Sequence, residues 1–416
     1  MGLCMYERNF FHFVGIVSKS PPNMATMSNQ SLRAAVWSVG RLNGRTARSS
    51  GLMSRQFSTS PAHGVRAVFA ETENTEMNKI LNTIQENIIL PAYLPEKQRR
   101  LVFDPKMKSY LEQNPIIIEV EGLEHKFSSI DHFTGIENSK TILAEALSSM
   151  KSQDDWANLG TLLAGYKKAG IRLKANHWGK IVRMAGKSGN IHAVIECAKQ
   201  SDKTGLLFTN RETVVRVLSY INEKVSGSNW DEAETKQAQK WADQVIDLIQ
   251  RREHTVEGQP TRERLHFSRV VRGMTLFTRA SAIKVKQAAG EDVEQDVLLL
   301  KDEVELLSSL WKDSANANLE EVAEFAKLNP TLERNSSPKG VKIPTALNGS
   351  AYVQVLAQNI KGIALAREIV GEEAQGLAPV EVALAEHLRH FVQTSKSPTK
   401  GWDQEYSKIV GQAPKW

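Results

Sequence analysis

Three short patterns in this sequence carry residue types that could do chemistry. Ala185-Gly186-Lys187-Ser188 ends as a phosphate-cradling loop ends, with a lysine beside a hydroxyl. That chemistry also needs a glycine at position 181 and a strand in front of it, and the chain has Ile181 there. A helix-ending turn is expected instead. His387-Leu388-Arg389-His390 sets two imidazoles on adjacent helical turns, but no third ligand stands at a recognisable spacing, and Arg389 adds positive charge. An exposed helix face is expected. Cys197 is the one cysteine besides Cys4, so neither a disulfide framework nor a cysteine-based zinc site is available. No dinucleotide fingerprint, serine nucleophile elbow or cysteine–histidine arrangement is readable. The expectation is a protein that is not an enzyme, with no cofactor, no metal and no small-molecule substrate.

What the chain does offer is a concentration of cations. From Trp156 to Ile195 there is no acid, while Lys167, Lys168, Arg172, Lys174, Lys180, Arg183 and Lys187 contribute seven positive charges. Cations left unneutralised by neighbours attract phosphate, and Trp178 and Tyr166 lie within reach for base stacking. These seven residues are the candidate nucleic-acid-binding set, expected to form one contiguous surface, with residues near 170 lying close to those near 187 across the end of a helical hairpin. A second basic stretch, Arg251–Lys286, holds nine basic residues against Glu253, Glu257 and Glu263 and is followed by an acidic stretch, Glu291–Glu324. Here solvated faces and pairing within the molecule are expected.

The elements that must carry these residues are helices. Met77, Ile80, Leu81, Ile84 and Ile88 recur at helical spacing behind Thr75, a plausible cap, until Pro91 and Pro95 end the run. Asn114-Pro115, then Ile116–Val120, Gly122 and His125–Phe127 read as a small hairpin or an extended arm. Beyond Lys140 helical periodicity dominates, with turn signals at Gly170, Gly186–Asn190, Gly205 and Ser226–Asn229. Val293, Val297, Leu300, Val304, Leu307 and Trp311 alternate spacings of four and three, a seam for packing on another helix. Two further helices are expected around Leu356, Ile360 and Ile363 and around Leu384, Leu388 and Phe391. The fold class is all-α, a helical-hairpin repeat of α-solenoid type with a small irregular N-terminal segment. Its expected divisions are residues 58–139 (helix plus extended arm), 140–327 (repeat domain), 328–350 (linker) and 351–416 (C-terminal helices).

Internal self-similarity supports the repeat. Lys168-Ala169-Gly170-Ile171 and Lys203-Thr204-Gly205-Leu206 lie 35 residues apart, the period of a helical hairpin. Together with Lys187-Ser188-Gly189-Asn190 at the inter-helix turn and the exit Gly170-Ile171-Arg172-Leu173-Lys174, this resembles the pentatricopeptide repeat. The resemblance covers residues 175–209 well, 140–174 fairly, and a degraded unit after them. In that family one RNA base is read per repeat by two positions, which would fall here on Gly179 with Thr209, Ala144 with Lys174, and Val214 with Gln244. Glycine, alanine and valine offer no side-chain donor or acceptor, so the resemblance implies phosphate and shape contacts rather than base reading.

Composition places the protein among ordinary globular chains, 41% hydrophobic and 24% charged over 416 residues, and no apolar run is long enough to span a membrane. From Arg8 to Ala70 there is not one Asp or Glu, and Leu32, Ala35, Val36, Val39 and Leu42 form an apolar stripe beside Arg33 and Arg41. That is the composition of a mitochondrial transit peptide, expected to span residues 1–57 with cleavage at Arg55-Gln56-Phe57. Its removal takes seven basic residues and one acid and leaves 46 of each, so the net charge of +6 belongs to the leader. The expected protein is a non-enzymatic component of organellar gene expression in the mitochondrial matrix, with the mitochondrial ribosome or RNA as partner. The alternative is a scaffold for other matrix proteins, such as an assembly factor for a respiratory complex.

Overall fold

A computed structural model describes residues 67–130, 138–312, 318–330, 347–395 and 399–416. The expected transit peptide and most of the expected linker lie outside them. The chain enters through helix α1 (Thr75–Ile84), whose Met77, Leu81 and Ile84 recur on one buried stripe. Its cap is Asn74 rather than Thr75: the Asn74 side chain accepts the Met77 amide at 3.1 Å and donates to the Ser149 carbonyl at 2.8 Å, which holds it in place. A π-helical turn (Gln85–Ile89) and a 3-10 turn (Leu90–Tyr93) extend the run to the prolines. Then come α2 (Glu96–Val102), α3 (Lys108–Gln113) and the antiparallel hairpin β1 (Ile116–Val120) and β2 (Leu123–Phe127). The hairpin pairs Ile116 with Phe127 and Glu119 with Glu124, and turns on Glu121 and Gly122, both at positive φ. Val120 and Phe127 close a small satellite core with Leu90, Leu94, Val102 and Ile130.

The helical hairpins follow. Helices α4 (Ser139–Ser149), α5 (Gln153–Ala157) and α6 (Leu159–Lys168) form the first, and α7 (Ala175–Lys187), α8 (Ile191–Lys199) and α9 (Ser201–Thr204) the second. The third is α10 (Arg211–Gly227) with α11 (Glu232–Gln250). Their leading helices begin at Ser139, Ala175 and Arg211, 36 residues apart each time. Each packs on the next, α4 on α7 and α7 on α10. Apolar residues on one side of each helix explain this: in α7, Gly179, Ile181, Val182 and Ala185 are buried while the opposite side is wet.

Further along, α12 (Arg269–Ala288) packs on α11, and α13 (Glu294–Trp311) sets Leu300, Val304, Leu307 and Trp311 into the core as its seam demands. After α14 (Ala323–Leu328), the long α15 (Gly349–Val370) is buried nearly all round and packs on α10, α12 and α13. It reaches α12 closely because Gly362 has no side chain; a Cβ there would meet the Phe277 amide nitrogen at 2.7 Å and the Gly273 carbonyl at 2.9 Å. Polar groups on this central helix are satisfied internally: Gln354 accepts from Arg216 at 2.9 Å and from Ser219 at 2.6 Å, and Gln358 donates to the Ser219 carbonyl at 3.1 Å. Helix α16 (Ala378–Thr394) is the second C-terminal helix expected, and α17 (Trp402–Val410) is a third, anchored by Trp402 stacked on Phe391 at 5.4 Å. The all-α reading holds. No helix among the described residues is long and apolar enough to cross a membrane.

Candidate nucleic-acid interface

Two helix ends shape the acid-free window. At the end of α6, Gly170 takes φ of +74°, its amide bonds to the Lys167 carbonyl at 3.0 Å, and the Ile171 amide returns to Tyr166 at 3.0 Å. Helix α7 ends the same way: Gly189 at φ +76° bonds to Gly186 at 3.0 Å and Asn190 to Ala185 at 2.8 Å. These are paired Schellman caps, which only a glycine adopts without strain. They settle the phosphate-loop pattern: Lys187 is the last residue of α7, and the Ser188 hydroxyl donates to the Ala185 carbonyl at 3.0 Å. The segment presents carbonyls, not amides, to solvent. The lysines at both ends stand where they complement the helix dipole.

The seven cations have different surroundings. Lys167 is exposed but engaged within the molecule, its Nζ donating to the carbonyls of Asp202 at 2.6 Å and Ser201 at 3.2 Å. Lys168 lies over the Tyr93 ring, 5.2 Å from its centre. Arg172, Lys174 and Lys187 are exposed, whereas Lys180 and Arg183 are half-buried. Lys180, Arg183 and Lys187 share one stripe of α7, opposite its buried side. None of Lys168, Arg172, Lys174, Lys180 or Lys187 pairs with a carboxylate among the described residues. The expected approach of residues near 170 to those near 187 is corrected: α7 runs between them, and its thirteen residues separate its ends by about 18 Å. The basic residues line the length of α7 instead of meeting at one hairpin end.

One aromatic expectation changes, that for Tyr166. Tyr166 is fully buried, its hydroxyl donating to the Ser139 carbonyl at 2.6 Å, and burial pushes its phenol far above the usual range. It cannot stack on a base. Trp178 is half-buried against the main core. The exposed ring at this edge is Tyr93, which is 40% exposed and which a search inside the window could not find. Lys140 was missed for the same reason. The N-terminus of α7 has no acid in its first turn; His177 there accepts the Lys174 amide at 3.1 Å. Burial holds the His177 imidazole below its usual value, and the charges of Lys140, Lys174 and Lys180 press the same way, outweighing the Lys174 hydrogen bond.

Of the base-reading positions implied by the repeat resemblance, Gly179 and Val214 are buried, Ala144, Thr209 and Gln244 are half-buried and Lys174 is exposed. His387 and His390 do not converge either. His387 is buried 2.8 Å from the Tyr352 hydroxyl, and His390 is exposed 2.8 Å from Glu320. In the second basic stretch at least five of the nine cations pair with carboxylates among the described residues, including Arg251 to Asp247 at 2.7 Å, Arg279 to Asp243 at 2.9 Å and Lys286 to Asp296 at 2.6 Å.

Stacked helical hairpins with a basic edge define an all-α helical-hairpin protein. The family model of mitochondrial ribosomal protein mS27 matches residues 55–408, and the chain belongs to that family. It is 31% identical over 182 residues to the small ribosomal subunit protein mS27 of Neurospora crassa, an alignment covering 44% of this chain and 46% of that protein. The chain thus matches about half the length of that curated relative. At the level of family the match is to mS27, and the pentatricopeptide resemblance narrows to the local spacing of helices.

Proposed function

We propose that this chain is a non-enzymatic structural component of mitochondrial translation, held on the small ribosomal subunit in the matrix through contacts to RNA phosphate. The observation that carries the reading is the run of cations along the α6–α7 turn and α7, of which Lys168, Arg172, Lys174, Lys180 and Lys187 have no carboxylate partner among the described residues, in a chain of the mS27 family. An ordinary soluble helix face neutralises such a run, as the α12 region does. Stacked hairpins whose leading helices recur every 36 residues suit the role, since they offer a long graded surface and need no pocket. Base identity is not read, because Gly179, Ala144 and Val214, one member of each pair, offer no side-chain donor or acceptor.

Sedimentation of mitochondrial lysates tests the proposal. The chain travels with small ribosomal subunits, and reversing Lys168, Arg172 and Lys187 together to glutamate releases it to the top of the gradient while the folded protein persists. Co-sedimentation unchanged by the triple reversal overturns the role of the window. A chain absent from ribosomal fractions overturns the ribosomal reading. The mature N-terminus is proposed to fall between Phe57 and Val65, which N-terminal sequencing of the mitochondrial form checks.

A further inference from the structure

Beside the basic edge the surface opens into a groove of about 980 Å³. One wall is the π-helical turn and the prolines after it, contributing Asn87, Ile88, Pro91 and Ala92; the opposite wall is the α6–α7 turn, contributing Ala169 and Ile171. Arg99 and Arg100 of α2, with Phe103 just after it, close one side, and Asn138 and Ser139 at the start of α4 the other. The π-helical turn makes this wall. Five residues in a widened turn swing the chain away from the axis of α1, and Gly165 of α6 lets Ile89 sit directly against the helix backbone.

We propose that this groove seats a short single-stranded RNA segment, its bases on the apolar floor and its phosphates on the basic rim. The inference rests on the ribosomal reading above and adds the place where unpaired nucleotides are held. Three observations favour this occupant. Among the described residues no Asp or Glu lines the groove, while Arg99 and Arg100 stand on one rim and Lys168 and Arg172 flank the other. Arg99 is half-buried and has no carboxylate partner among the described residues; only Arg100 is engaged, by Glu96 on its own helix at 2.5 Å. Between the rims lie flat or apolar groups, Phe103, Pro91, Ile88 and Ile171, with Tyr93 carrying Lys168 at the edge. An unpaired base needs such a floor, whereas a duplex presents only phosphate and sugar and needs none. A peptide strand adding to a sheet has no edge to join here, since these walls are helices and turns.

The test uses the full chain in two settings. In intact mitochondria, ultraviolet crosslinking followed by mapping of nucleotide-bearing peptides is expected to mark residues 87–103 and 169–172. With the purified chain and a fluorescent 12-nucleotide oligouridine, Arg99→Glu is expected to weaken binding about tenfold, and the slope of log affinity against log salt falls by about 0.7 for each phosphate that is no longer neutralised. Ala169→Glu, on the facing wall, should do the same without touching Arg99. Crosslinks confined to residues 175–187, with both groove variants binding like the parent, overturn the groove and leave the ribosomal reading standing. A chain that sediments with small subunits but whose groove peptides crosslink only to polypeptide overturns RNA as the occupant. If the chain neither sediments with small subunits nor binds the probe, both the groove and the ribosomal reading fall.

Discussion

Residues 167–187 and residues 251–286 carry cations at similar density, and the fold treats them in opposite ways. In the second stretch the cations of α12 meet carboxylates brought from elsewhere: Arg279 reaches Asp243 of α11, Lys284 reaches Glu368 of α15, and Arg272 makes a buried pair with Glu303 of α13. In the first, the described neighbouring elements supply none to Lys168, Arg172, Lys174, Lys180 or Lys187. The acids nearest in sequence are already committed: Asp155 accepts the Lys151 and Ser152 amides at 2.9 and 3.0 Å, and Glu196 is held by Lys199 and His192. Charge count along a sequence therefore says little about a surface until the fold has shown which charges are answered.

The sharpest way to break the contrast is to strip a carboxylate from the neutralised region. Glu303 accepts Arg272 at 3.0 and 3.1 Å, both side chains being about 90% buried. Glu303→Gln should therefore cost about 3–5 kcal/mol in urea unfolding, whereas the double change Arg272→Met with Glu303→Leu should leave stability close to that of the parent. Next comes the acid that borders the window. Burial pushes the Asp155 carboxyl up, but the amides of Lys151 and Ser152 and the side chains of Thr72 and Asn74 outweigh it and hold it at about 2, against 3.8 for an ordinary aspartate. A lowered folded value means stability that is complete above about pH 4 and drains away as the pH falls toward 2. That contribution is about 2 kcal/mol, and Asp155→Asn should remove the loss of stability across this interval. Smaller still is Lys284→Ala, which breaks a partly exposed pair with Glu368 at 2.5 Å and should cost under about 1 kcal/mol. Least of all should be Lys174→Ala and Lys187→Ala, exposed and unpaired with any described carboxylate, at under about 0.5 kcal/mol by the same unfolding assay. A large destabilisation from either would mean that the window serves the fold itself.

Helices and turns were legible in the sequence because their signals are local. Apolar spacing marked α1, α7 and α13, and glycines at positions 170, 189 and 205 marked turns that do take left-handed backbone. The hairpin was legible from Gly122 after the β-branched run Ile116–Val120. Helix α17 escaped because it is short, and what fixes it is Trp402 against Phe391, a pairing no local stretch of sequence contains. The candidate interface was legible as a set of residue types and not as a shape. Lys167 looks as free as Lys168 until Ser201 and Asp202 arrive, and Tyr93 and Arg99 join the edge only through packing of the N-terminal turns on α6. Nor does sequence show that Gln354 and Gln358 of α15 face inward, since their partners on α10 lie more than 130 residues away.

The close crossing at Gly362 has a consequence for the order in which the chain can mature. Helices up to α9 pack mainly on neighbours in sequence, so they can assemble as they emerge. Helix α12 is different: its Gly273 and Phe277 lie against a helix that starts only at Gly349. Until that last segment is delivered the centre of the molecule stays open, with oily surface on view and long-range closure still to be made. A chain stopped short of Gly349 should therefore depend on chaperones or proteases more than one shortened at α17, and a frameshift near the 3′ end of the message would be felt at the heart of the protein.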